Sequence, residues 1–163
     1  MIVTESAPRD GNRVPILTLD GFMTSQVSPS AFAGGTTNAR GNDGGTSDPL
    51  TLFTVTGDVL VRIFGVCTVS LTGATATLQV GVASNTAALI ALTTATDIDA
   101  GQIWLDSTPS VGDSLANLPG SFIIVNSANI IETVATADIT AGNVYYNCLW
   151  RPLSPDGNIV PAV

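Results

Sequence analysis

The 163-residue chain carries 13 acids against five cations, all of them arginine, and has neither lysine nor histidine, for a net charge of -8. Nucleic-acid binding needs a clustered basic face that five scattered arginines cannot supply, and the missing histidine and lysine remove the commonest bases, metal ligands and activators of a serine or cysteine nucleophile. Charged residues are only 11% and apolar ones 45%, so few charges guard strand edges and much of the surface suits burial against neighbours.

The first segment, Met1 to Pro49, has no sustained periodicity and is punctuated by Pro8, Pro15, Pro29, Pro49 and many glycines. It reads as an extended arm. Val14, Ile16, Leu17 and Leu19 form a short apolar strip that cannot fold alone, and GGTTNARGNDGGT (34–46) reads as a flexible linker. Two other readings stay open for this segment, disorder and an N-terminal strand on the domain's own sheet. The start, MIVTESAPRDGN, lacks a basic stretch followed by a long apolar core, which predicts synthesis in the cytoplasm without a signal peptide. No apolar run approaches a membrane span of about 18 to 20 residues, so no membrane partner is expected.

From Leu50 the pattern changes. About eight strands are expected over 50–55, 59–71, 75–83, 88–92, 102–106, 121–126, 130–136 and 143–152, separated by turn signals at all-β spacing. Val59, Val61, Ile63, Gly65, Cys67, Val69 and Leu71 alternate with Asp58, Arg62, Thr68 and Ser70, the period of two of a strand with one buried face. The last strand alternates as cleanly, with Val144, Tyr146, Cys148 and Trp150 on one side. The even face of the second strand carries Leu60, Phe64 and Val66, too apolar for free solvent, and is the candidate subunit contact. The apolar face of the second strand is expected to meet that of the last strand across the core. Cys67 and Cys148 then read as reduced, buried thiols, with an inter-sheet disulfide as the alternative. The loop 107–120 is rich in breakers, with room for one helical turn. The fold class is all-β: a roughly eight-stranded antiparallel sandwich, jelly-roll-like, over 50–163, with the arm over 1–49.

Chemistry is sparse. Asp97-Ile98-Asp99-Ala100-Gly101 is paralleled by Asp138-Ile139-Thr140-Ala141-Gly142, each entering a strand, which reads as a duplicated corner. Asp97, Asp99 and Asp106 suggest a calcium site or an acid/base pair, but Thr140 stands where the first corner has Asp99, and no closing glutamate of an EF-hand follows. No cofactor, metal or catalytic site is expected, and the chain is read as a non-enzyme. Trp104, Tyr145 and Trp150 are the residues a sugar platform would use, although Trp150 shares its face with Cys148 and reads as core.

Within the arm, Pro8-Arg9-Asp10-Gly11-Asn12-Arg13-Val14-Pro15 followed by Ile16-Leu17 resembles the short R-D-x-N-x-V-P start of small virion proteins of tailed bacteriophages. The D-I-x-A-G corners and the C-terminal YYNCLWRPLSPDGN also resemble phage proteins that decorate or cement the head. The resemblance implies a decoration protein on the outer surface of the virion, binding the major capsid protein and assembling as a homotrimer. In that reading Arg9, Asp10, Asn12 and Arg13 fix the register of the arm on the capsid while Val14, Ile16 and Leu17 fill shallow pockets, the division of labour of an extended binding peptide. The alternative function is a carbohydrate-binding sandwich at the tip of a head fibre or in an adhesin, which requires exposed aromatics.

Overall fold

The computed structural model describes residues 21–110 and 119–163. Ten strands make two antiparallel sheets. In chain order they are β1 (Met23–Val27), β2 (Leu50–Thr56), β3 (Val59–Thr72), β4 (Thr77–Val82), β5 (Asn85–Thr94), β6 (Ile103–Trp104), β7 (Phe122–Ile124), β8 (Ile130–Ala135), β9 (Ala141–Pro152) and β10 (Asn158–Pro161). The first sheet runs β1-β9-β3-β6, with β7 also on β3, and the second runs β10-β2-β8-β4-β5. The expected all-β sandwich is therefore the observed architecture.

The core forms because the period-two residues of both sheets turn inward. On β3, Val59, Val61, Ile63, Cys67 and Leu71 are buried as the alternation predicts, while Val69, expected among them, is turned out to 55% exposure by the irregularity after Cys67; on β9, Val144, Tyr146, Cys148 and Trp150 are buried. Leu78, Val80, Ile90, Ile130, Val134 and Ile159 close over them from the second sheet. Trp104 is fully enclosed and donates its indole N–H to the Thr93 hydroxyl at 2.8 Å, tying the first sheet to the edge of the second. Gly65 interrupts the apolar row of β3 for a steric reason, since a Cβ there would meet Val144, the Trp104 ring and the Tyr146 ring at 2.9–3.3 Å.

Three expectations change. β3 and β9 do not face each other across the core but lie side by side in one sheet, with Ile63 opposite Cys148 and Cys67 opposite Val144. Cys67 and Cys148 thus point inward from the same sheet, four positions apart in register, about 13 Å at the rise of a strand. That separation is far beyond disulfide reach, and both are free thiols. The strand count rises to ten because β1 and β10 are short edge strands whose sequences lack a clear period. Finally, residues 21–49 are not an arm and linker beside the sandwich but belong to it. β1 pairs with β9 from Met23 opposite Trp150 to Val27 opposite Tyr146, which realises the reading of an N-terminal strand on the domain's own sheet. The residues expected as linker form successive turns packed on the second corner. The glycines serve close approach there rather than flexibility, because a Cβ on Gly34 would fall 2.2 Å from the Gly41 carbonyl oxygen.

Burial pushes both thiols up, Cys67 to about 11, with the Asp99 charge adding to it, and Cys148 to about 12. A thiol raised in the folded state stabilises the fold fully below the ordinary value of 9.0, and that contribution is lost as pH rises through the window up to 12. Unfolding titrations should show stability falling above pH 9, with Cys148 accounting for about 1.4 kcal/mol per pH unit. A flat profile between pH 9 and 11 in the wild type, or no flattening in Cys148→Ala, would contradict this.

Candidate functional site

Arg9, Asp10, Asn12, Arg13, Val14, Ile16 and Leu17, the capsid-binding candidates, lie outside the described residues. The subunit-contact candidates lie within them. Leu60, Phe64 and Val66 sit half-buried on the outer face of β3, where alternation leaves them once Val59, Val61 and Ile63 have turned inward. Register places Ile123 of β7 and Arg151 of β9 beside Leu60, and Leu149 beside Arg62. It places Asn147 beside Phe64, and Tyr145 and Ile103 beside Val66. Leu60, Phe64, Val66, Leu149, Tyr145 and Ile103 thus run as an apolar row along the middle of the sheet. Ile123, at its margin, is 65% exposed.

Phe22, where the arm joins the sandwich, lies on the same face and is buried. Its ring is held under two guanidinium groups, Arg62 at 5.0 Å and Arg151 at 5.8 Å from its centroid. Arg62 also donates its Nε–H to the Ser121 hydroxyl at 2.8 Å. The outer-face positions of β1, β3, β6, β7 and β9 carry no acid. Among the described residues of these strands the charged groups on this face are Arg62 and Arg151, and Asp58, just before β3, is the nearest acid along the chain.

A second cluster is buried and was not foreseen. Arg40, in the supposed linker, is 4% exposed and reaches between the two sheets. Its Nε and Nη2 donate to the two Glu132 oxygens at 2.8 and 2.6 Å, Nη1 to the Ser30 carbonyl at 2.8 Å, and Nη2 also to the Val144 carbonyl at 3.2 Å. The Tyr146 hydroxyl donates to Glu132 Oε2 at 2.5 Å, and the Phe32 ring lies 3.8 Å under the guanidinium. Burial by itself would lower the pKa of Arg40, but the Glu132 carboxylate more than offsets this and holds the guanidinium above its ordinary value. Tyr146 is pushed well above the usual phenol value, by burial first and by the Glu132 charge second. With every guanidinium donor engaged, the last to Asn143 Oδ1, and the Arg40 and Glu132 side chains 2% and 1% exposed, the cluster is a structural rivet between β8, β9 and the loop rather than a reaction centre. Two signals pointed to it in the sequence: one charge in the apolar run Ile130-Ile131-Glu132-Thr133-Val134, and one arginine in a glycine-rich stretch.

The duplicated corner is real but its two copies differ. Ile98 and Ile139 both plug the core, and Gly101 and Gly142 both take positive φ, 86° and 118°. Both corners lie against the far end of β3, where Leu71 N–H donates to the Ile98 carbonyl and Thr140 N–H to the Thr72 carbonyl. The second corner is also covered by the 33–43 loop. Gly34 N–H donates to the Ile139 carbonyl, Ile139 N–H to the Gly41 carbonyl, and the Asp138 carboxylate accepts the Asp43 N–H at 2.8 Å. Asp97, its counterpart at the first corner, is exposed and accepts no hydrogen bond among the described residues. Asp106 caps its own turn through the Thr108 N–H and hydroxyl.

Of the aromatics a sugar platform would use, Trp104 and Trp150 are in the core, at 0% and 5% exposed, and only Tyr145 reaches the surface. The fold and these sites define a two-sheet β-sandwich with an apolar outer face that carries Arg62 and Arg151 beside its N-terminal entry. No protein-family model, no curated protein and no solved structure matches the chain.

Proposed function

We propose that this chain is a non-enzymatic decoration or cement protein of a phage head, bound to the major capsid protein at the virion surface and assembled as a homotrimer. The observation that carries the reading is one of placement: the apolar outer face with Leu60, Phe64 and Val66 lies beside Phe22, where the arm with the virion-protein motif joins. A rigid sandwich with a sticky face next to its attachment arm is suited to multivalent stapling. In a trimer three weak arm contacts act together, and effective concentration turns them into firm attachment. The outer face supplies the contact between copies, and Arg9, Asp10, Asn12, Arg13, Val14, Ile16 and Leu17 supply the contact with the capsid.

Sugar recognition is the less supported reading, because the enclosed Trp104 and Trp150 rings offer no stacking surface. Removal of residues 1–19 is expected to leave a folded oligomer that no longer cosediments with phage heads stripped of the protein. Undiminished cosedimentation of the shortened chain would refute the anchoring role.

A further inference from the structure

The arginine-bearing outer face and the bare first corner have complementary shortcomings. Among the described acids, Asp48, Asp58, Asp106, Glu132, Asp138 and Asp156 each accept a hydrogen bond from within the chain. Asp43, Asp97 and Asp99 do not, and Asp43 stands in the docked loop beside Asp48 and Asp138. Asp97 and Asp99 are left as an exposed pair with no partner among the described residues, two residues apart and so at most about 7 Å between Cα atoms.

Arg62 and Arg151 are diagonal neighbours across β3 and β9, since Leu60 is opposite Arg151 and Arg62 opposite Leu149. Diagonal positions in such a ladder are about 7–8 Å apart, the spacing of the aspartate pair. Neither arginine has an acidic partner among the described residues; the one ion pair there is Arg40 with Glu132. The two pairs cannot meet within one copy. The corner abuts β3 from Cys67 to Leu71, five to nine residues along the strand from Arg62 and about 17–30 Å away.

We infer that the outer face of the first sheet receives the Asp97–Asp99 corner of a second copy of this chain, with Arg62 and Arg151 paired to the two carboxylates and the apolar row buried beneath them. The contact is heterologous, one patch against a different patch, and this is the kind of contact that closes cyclic assemblies such as a trimer. Like-charged surfaces of two copies of an acidic chain repel, and this docking brings the arginine pair of one against the acidic corner of the other. The inference rests on the reading of the outer face as a subunit contact and names the surface that fills it.

The test is a charge swap on the full-length chain, read by light-scattering mass. The wild type is expected at a multiple of 16.6 kDa. Arg62→Asp/Arg151→Asp and Asp97→Arg/Asp99→Arg are each expected to weaken association at least about 100-fold and run at the monomer mass with an unchanged melting temperature. The chain carrying all four changes is expected to recover the wild-type mass, and 1 M salt to weaken the wild-type assembly. A monomeric wild type, an aspartate reversal that leaves the mass unchanged, or a four-fold variant that stays monomeric overturns the inference. If the arginine reversal alone dissociates the assembly, the face is held by an acidic surface other than this corner, and the inference fails. Head binding lost on arm removal, with masses insensitive to the charge swaps, overturns this inference and leaves the decoration reading intact. The opposite pattern overturns decoration alone.

Discussion

Arg40→Met is expected to lower the unfolding free energy by about 3–5 kcal/mol, the cost of breaking a buried ion pair from one side. The change leaves the Glu132 carboxylate between the sheets with only the Tyr146 hydroxyl to stabilise it, and it frees the Ser30 and Val144 carbonyls from their donor. It also removes the cation stacked on Phe32, and with it the anchor that fixes the 33–48 loop across β8 and β9. The measurement is the urea midpoint at unchanged slope, since the loss lies in the folded state. Arg40→Lys should recover only part of the loss, because an ammonium cannot bridge both carboxylate oxygens as the Nε and Nη2 pair does. Arg40→Met combined with Glu132→Leu and Tyr146→Phe should regain most of it by replacing the whole polar cluster with apolar volume. A single-variant loss below about 1 kcal/mol would mean that water reaches the carboxylate and that the loop is not riveted through this pair.

How much of this was readable beforehand follows from the range over which each interaction acts. The burial of Val59, Val61, Ile63, Val144, Tyr146 and Trp150 follows from period-two alternation, a local pattern, and it is where the sequence placed it. Which strand lies beside β9 is set by long-range pairing. The same inward face serves whether β3 is a neighbour or stands opposite, so alternation could not separate the two. The 33–48 segment misleads for a different reason: glycines needed for close approach and positive φ have the same composition as glycines in a flexible linker. Leu60, Phe64 and Val66 were legible as an unusually apolar outer row. Their charged setting was not, because Phe22, Arg62 and Arg151 come from three separate segments that only the β1-β9-β3 order brings together.

The duplicated corners give the second prediction, because equal sequence there hides unequal packing. Gly142→Ala is expected to cost at least about 3 kcal/mol, and Gly101→Ala only about 1–2 kcal/mol. Both glycines have a positive φ, which charges an L side chain about 1–2 kcal/mol in either place. At Gly101 nothing lies within 4 Å of the added Cβ, so the dihedral strain is the whole effect. At Gly142 the added atom would fall 2.4 Å from Leu71 Cδ2, 2.8 Å from Leu71 Cα and 2.8 Å from the Ser70 carbonyl oxygen. Leu71 can turn its methyl away, but the backbone of β3 cannot move without breaking its pairing with β9, so an overpacking cost of about 1–3 kcal/mol adds to the strain. Thermal unfolding of the two variants decides the point, and equal losses would mean that β3 and β9 separate easily at this end. The asymmetry has a structural origin in the loop. The second corner is locked between β3 and the 33–43 turn, whose Gly34 and Gly41 hold the Ile139 backbone from the other side, whereas among the described residues the backbone of the first corner is held by β3. One copy of the motif is thereby committed to holding the sandwich together, while the other keeps Asp97 and Asp99 exposed at the surface.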